Sequence, residues 1–279
     1  MPTPQETLIQ HFTALAALPD AEIALAPAAL RIAATAYPDL DIPGEITHLD
    51  ELARAASRRT GSTPDPLEQI NRLSAFLFDE IGFRGNQQDY YDPRNSYLND
   101  VLRRRLGIPI TLSLVYQEVA ARLGIPCRPI GMPGHLLLRP LHTDGLYLDP
   151  FHGGILLSTA ECADRFRQAV GPRTLWDPRY LAPIPNREFI TRMLHNLKAI
   201  YTSKPDHARA LVILELLVAF RPDLAEERRD RGLMLYHLGR HEEAAKDLWA
   251  YVNLAPDSPD TPSIQNLVGE IARRLPRKG

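Results

Sequence analysis

Four side chains in the middle of this 279-residue chain could move protons or ligate a cation: His135, His142, Asp149 and His152. An imidazole beside a carboxylate makes a general base, because the carboxylate fixes the ring's tautomer and orientation. The same residue types bind transition metals. No two of the four stand at the i, i+4 spacing that puts ligands on one helix face, and no cysteine cluster joins them. No metal and no other cofactor is therefore expected. Thr111 or Ser113 would make His135 half of a hydroxyl–base pair. The competing reading has Thr111 capping a helix and Ser113 serving as a small packing residue. Cys127 opens an extended run, away from any helix N-terminus that would activate it, and reads as a buried core thiol. Cys162 falls on a surface helix with Phe166 and has no evident partner. Asn95, Ser96 and Asn99 precede this group. They either line a polar pocket, or Asn95 or Ser96 caps the helix that follows.

Composition limits the partners. Hydrophobic residues make up 44% and charged residues 24%, which excludes a wholly disordered chain. A net charge of −2 supplies no global field for nucleic acid or anionic lipid. Arg103, Arg104 and Arg105 point three ways around a helix and read as a solvated helix surface. The basic tail from Arg273 to Lys278 has no interleaved aromatics to stack bases. No nucleic acid is expected, and no membrane, since no apolar run approaches the ~18 residues a span needs. Two cysteines and no CxxC exclude a disulfide framework and point to reduced thiols. The first Lys or Arg is Arg31, so the basic segment of a signal peptide is not expected at the N-terminus. Both features predict a cytoplasmic protein.

Elements must position these residues, and the chain reads as three regions. Residues 1–92 are helical, with amphipathic faces at Leu8, Phe12, Leu15 and Leu18 and again at Ile46, Leu49, Leu52, Ala53 and Ala56. They are expected to form a layer covering another domain. Thr63-Pro64-Asp65-Pro66 starts a further helix, which Gly82 and Gly85 end. Residues 93–185 change character. Helices are predicted over Tyr97–Leu106 and from Pro109 to Leu123, with Pro109 in the first turn and Gly124 as the stop. Short strands follow over Cys127–Met132, His135–Arg139 and Leu146–Leu148, and Thr143-Asp144-Gly145 turns the last two into an antiparallel hairpin. Helices followed by strands give an α+β fold. Pairing Leu138 with Leu146 would set His135 opposite Asp149, with Cβ atoms about 4.5–5.5 Å apart.

Residues 186–279 are helical and repeat. Tyr201 and Leu235, Ala210 and Ala244, Leu214 and Leu248, and Pro222 and Pro256 are pairs of equal spacing. Each unit is a helix pair with a small residue at the crossing and a proline after its second helix. The spacing looks like tetratricopeptide repeats, and Gly232, Tyr236, Gly239, Ala244 and Pro256 fit that consensus. Lys198 stands where the first unit should have glycine. Ser263–Leu275 is expected to be a capping helix.

The strings Gly107–Tyr116, Arg122–Arg128, Pro133-Gly134-His135 and Leu148–Gly154, followed by these repeats, resemble the SirB family, a bacterial branch of the transglutaminase-like superfamily. The resemblance spans roughly residues 30–260 and implies a papain-like α+β core, a helix packed on an antiparallel sheet. It also implies a Cys-His-Asp triad, in which His135 and Asp149 match the acid–base partners. Asn95, Ser96 and Asn99 fall in a segment like the family's Asn-Ser-x-Leu-Asn signature. Counting back along the core helix from Gly124 puts the nucleophile position at or beside Pro109, and this helix has no cysteine. His135 and Asp149 are then an active pair or a vestigial, structural one. Asn95, Asn99, Pro109, Thr111, Ser113 and His152 are the candidate pocket.

Three readings follow. The first is a non-catalytic transglutaminase-like protein whose repeats bind a protein or peptide, since stacked helix pairs form a concave groove. The second is a hydrolase or acyltransferase acting on amide bonds through His135 and Asp149, with a non-cysteine nucleophile or water. The third, a regulator of gene expression, is suggested by the family name alone, because no DNA-reading motif is present.

Overall fold

The computed structural model describes residues 2–61, 63–204 and 206–274. Twelve helices are named in chain order: α1 (Pro4–Ala17), α2 (Leu25–Ala33), α3 (Ile42–Thr60), α4 (Pro66–Ser74), α5 (Leu98–Arg104), α6 (Pro109–Arg122), α7 (Thr159–Val170), α8 (Asn186–Ser203), α9 (His207–Phe220), α10 (Ala225–His237), α11 (His241–Leu254) and α12 (Thr261–Arg274). Between them lie β1 (Arg84–Gly85), β2 (Leu106–Gly107), β3 (Cys127–Ile130), β4 (Leu137–Pro140), β5 (Leu146–Asp149) and β6 (Ile155–Ser158). The fold is α+β, mostly helical with one small antiparallel sheet.

The chain divides into two compact units. One holds residues 19–193; the other holds residues up to 18 together with those from 194 onward. The helical stretch expected over residues 1–92 is thus split. Phe12 of α1 meets Phe220 of α9 edge to face, with ring centroids 5.8 Å apart, so α1 belongs with the repeats. Residues 19–92 share a unit with the strands.

In the unit of residues 19–193, β3–β6 form one sheet in sequential order. Side chains alternate across it. Leu137, Tyr147 and Leu157 pack with Cys162 and Phe166 of α7, together with Ile130, Met132 and Leu181. Cys162 is fully buried in this cluster rather than on an outer helix face. Leu138 pairs with Leu148, not with Leu146. That register differs from the expected one by two residues. A two-residue slip keeps every side chain on its face, whereas a one-residue slip would have reversed them. β6 was not expected. It directly follows Gly153-Gly154, and Leu148 pairs with Leu156.

α6 begins at Pro109, as predicted, and ends before Gly124, whose φ is +73°. α5 stops at Arg104, two residues short of the expected end. Arg105 adopts a left-handed conformation (φ 58°), and the freed Leu106-Gly107 pairs in parallel with Arg84-Gly85. After α4 the chain continues as a π-helical turn over Ala75–Glu80, and Gly82 closes it at φ +86°.

In the other unit, α9 packs on α1 and α10, α10 on α11, and α12 follows α11 as the cap, while α8 is divided between the two units. A Cβ on Gly232 would lie 2.8 Å from Leu248, so glycine lets α10 and α11 approach. Lys198, the departure from consensus, reaches α10, with its Nζ 2.8 Å from Glu227 and 2.6 Å from Asp230. Of the basic tail, residues 275–278 lie outside the described residues.

Candidate active site

Asp149 ends β5 and caps the short helical turn of Pro150–His152, with its carboxylate accepting from the His152 amide at 3.3 Å. Its side chain is fully buried. Oδ1 also meets His135 Nε2 at 3.0 Å, and Oδ2 meets His152 Nδ1 at 2.8 Å. Arg165 of α7 comes from the sheet face that carries Tyr147 and places Nε 3.4 Å from Oδ2. His135 reaches the carboxylate because the Pro133-Gly134 turn, with Gly134 at φ +74°, redirects the chain ahead of β4. Its ring stands edge to face with Phe151, centroids 6.0 Å apart. Tyr90 extends this aromatic wall against Phe151 at 6.1 Å.

Burial alone would raise the Asp149 pKa. The hydrogen bonds from His135 and His152, and their charges when protonated, outweigh it and hold the carboxyl well below the usual range. Asp149 is therefore held as an anion among the side-chain nitrogens of His135, His152 and Arg165. His135, Asp149 and His152 also bring their ligand atoms within 4.8 Å of one another, the one group of that kind among the described residues. Arg165 donates toward His152 Nε2 at 3.4 Å, an arrangement in which Nε2 accepts and the ring proton sits on Nδ1, facing Asp149. That proton would have to leave before Nδ1 could ligate a metal; with it in place the side chains form a hydrogen-bond network. His142, on the turn between β4 and β5, is exposed and outside it.

The remaining predicted site residues make other hydrogen bonds, although α6 packs against the Pro150–His152 turn. Asn95 is buried and ties its own loop, giving Nδ2 to the carbonyls of Asp89 (2.7 Å) and Tyr90 (3.2 Å) and accepting from Asn86 and Arg104. Arg104 is thus not a solvated helix residue: it bridges Asn95 and Asp92. Neither Asn95 nor Ser96 caps α5, whose N-cap is Tyr97 without a side-chain bond. The hydroxyl of Thr111 donates to the Asn95 carbonyl at 2.7 Å and accepts from the Ile108 amide at 3.1 Å. It closes the first turn of α6 beside Pro109. Ser113 is buried, and its hydroxyl has no hydrogen-bond partner among the described residues. Asn99 lines a different cavity, with Tyr37 and Glu45. Among the described residues, no hydrogen bond joins Asn95, Asn99, Thr111 or Ser113 to His135, Asp149 or His152.

Both thiols are held protonated. Burial pushes Cys127 up to about 12, and burial together with the nearby Asp149 and Glu161 charges pushes Cys162 up to about 12. Sequence reasoning missed Arg165. Its signal was its place on the helix after β6, and β6 itself went unread.

Residues 45–195 match the family model of the transglutaminase-like superfamily, and residues 197–269 match the tetratricopeptide repeat. A UPF0162 protein of Xylella fastidiosa (strain 9a5c) is 37% identical over 262 residues, covering 91% of this chain and 92% of that protein. The chain belongs to the transglutaminase-like superfamily, among the UPF0162 proteins. A UPF0162 protein of Vibrio cholerae is 30% identical over 228 residues, 80% of this chain and 84% of its own. F-box only protein 21 of Homo sapiens is 30% identical over 182 residues, which are 61% of this chain and 28% of that larger protein. No solved structure matches the chain. The superfamily match begins inside α3, well ahead of residue 93, in keeping with the single compact unit of residues 19–193. No described helix is long and apolar enough to cross a membrane.

Proposed function

We propose that this is a non-catalytic transglutaminase-like protein of SirB type whose repeat unit holds a protein or peptide partner. One observation carries the reading. The core helix opens on Pro109, and the one hydroxyl in its first turn, that of Thr111, is spent on the Asn95 carbonyl and the Ile108 amide. A triad needs a nucleophile at that helix start, where the helix dipole lowers its pKa. Both cysteines lie elsewhere, with their thiols held protonated. The His135–Asp149 pair then serves to fix the hairpin and the turn after it.

Support for the repeats comes from a cleft of about 280 Å³ in the repeat unit, lined by Glu215, Arg231, Arg240, Glu243, Lys246 and Asp247. Mixed charge of this kind suits a polar peptide segment more than an apolar ligand. The partner acts in the cytoplasm, in a regulatory role rather than a metabolic one.

Affinity capture with the full chain, its Lys246→Glu variant and its His135→Ala variant tests the proposal. A partner should be recovered with the full chain and with His135→Ala and lost with Lys246→Glu. The 3.0 Å contact of His135 with Asp149 favours the second reading, an amide hydrolase or acyltransferase. Turnover of a glutamine-bearing peptide that vanishes in His135→Ala would overturn the first reading in favour of the second.

A further inference from the structure

Arginine precedes proline twice in the antiparallel sheet, at Arg128-Pro129 in β3 and at Arg139-Pro140 in β4. A following proline confines the residue before it to extended backbone, so the local sequence itself holds both arginines as strand residues. The register sets them directly opposite each other. Such residues share a face with Cβ atoms about 4.5–5.5 Å apart, and like charges placed so are destabilising. Other arginines of this unit are neutralised, Arg104 by Asp92, Arg122 by Asp50 and Glu118, and Arg165 by Asp149. Among the described residues, no hydrogen bond or ion pair joins Arg128 or Arg139 to a carboxylate. Arg128 is exposed and Arg139 half-buried, so solvent reaches the pair. Tyr147 supplies an observation independent of charge. One residue on from the Leu138–Leu148 pair, it comes opposite Arg139 and shares its face. The residue is 7% exposed, and its hydroxyl has no hydrogen-bond partner among the described residues. A phenol this buried ordinarily finds one.

We propose that the row Arg128, Arg139 and Tyr147 binds a phosphate monoester. The three residues stand on neighbouring strands about 4.7–4.9 Å apart, so the whole row spans about 10 Å, within reach of two long guanidinium side chains. Each guanidinium donates to one phosphate oxygen, and the Tyr147 hydroxyl donates to a third. Three diverging oxygens suit donors that arrive from three strands, whereas a carboxylate offers only two in one plane. The monoester's charge of about −1.5 to −2 at neutral pH matches two guanidiniums. With the phosphate between them, the repulsion of Arg128 and Arg139 gives way to attraction of both to one anion.

The phosphate has two sources, a free small molecule or a phosphorylated side chain of another protein. Titration calorimetry of the full chain with glycerol 3-phosphate and with N-acetyl-phosphoserine methylamide distinguishes them, and methyl sulfate is the singly charged control. At least one phosphate should bind saturably, and tighter than methyl sulfate. Arg128→Gln and Arg139→Gln should each weaken binding at least tenfold, because hydrogen bonds to charged groups are the strong ones. Tyr147→Phe keeps the ring and the charge and should weaken it at least threefold, which separates a built site from general attraction to a basic surface. Absence of saturation with both phosphates, equal binding of methyl sulfate, unchanged binding in Tyr147→Phe, or a change under threefold in Arg128→Gln would overturn the proposal. If Arg139→Gln or Tyr147→Phe does not melt like the parent chain, the Arg128→Gln arm, at an exposed residue, decides.

Discussion

Asp149 gathers two imidazoles and a guanidinium around one buried carboxylate, and this makes it costly to neutralise. Asp149→Asn keeps the volume and removes the charge, leaving the nitrogen donors without their anion. Loss of one member of a buried charged cluster costs about 3–5 kcal/mol. Urea unfolding at neutral pH should show a loss of that order. Because the folded-state pKa is lowered, the carboxylate's contribution is complete above the unfolded value of about 4 and is lost as pH falls through the lower folded value. The stability gap between the parent and Asp149→Asn should therefore be flat above about pH 5 and narrow toward acid. A gap that widens in acid would show that Asp149 is protonated in the fold. The cysteines give a second residue-scale prediction. With both thiols pushed up to about 12, native protein at pH 8 should react with a disulfide probe at least about a hundredfold more slowly than the same chain in urea. The meeting of His135 and Asp149 was legible in the sequence because side-chain alternation survives a two-residue error in register. Arg165 was not, because its part depends on a contact between elements that no local pattern encodes.

At the scale of elements, legibility followed local chemistry. α6 was readable at both ends, since Pro109 and Gly124 each act through their own backbone. The end of α5 was misjudged because Arg105 takes a left-handed conformation without the glycine that usually marks one. Tertiary pairing of Leu106-Gly107 with Arg84-Gly85 imposes it. The strain is measurable. Arg105→Gly should stabilise the chain by about 1 kcal/mol, as a left-handed non-glycine residue costs roughly that much. An unchanged or lowered melting temperature would mean that the exposed arginine side chain contributes more than its backbone costs. The crossing of α10 and α11 makes the opposite demand. A branched side chain at Gly232 would collide with Leu248. Gly232→Val should cost about 1–3 kcal/mol, read by far-UV circular dichroism during urea unfolding. The repeat was legible because its spacing is set by helix-pair geometry and recurs within the chain itself.

Over the whole molecule, the division into two units makes a prediction that neither residue nor element makes alone. Each unit has its own buried cluster, one around Cys162 and Phe166, the other around Leu248 and Tyr251. A chain with two cores need not melt in one step. Differential scanning calorimetry should resolve two transitions. Gly232→Val should lower one by several degrees, since about 1 kcal/mol shifts a unit of this size by roughly 4–8 °C. Asp149→Asn should lower the other. Substitutions far apart with no shared partners act additively, so the double variant should show both shifts undiminished. α8 has residues 186–193 in one unit and 194–203 in the other, and a continuous helix can carry unfolding along its own length. If both variants move a single transition together, α8 couples the two cores. Substitution at the repeats would then lower the stability of the transglutaminase-like unit as well.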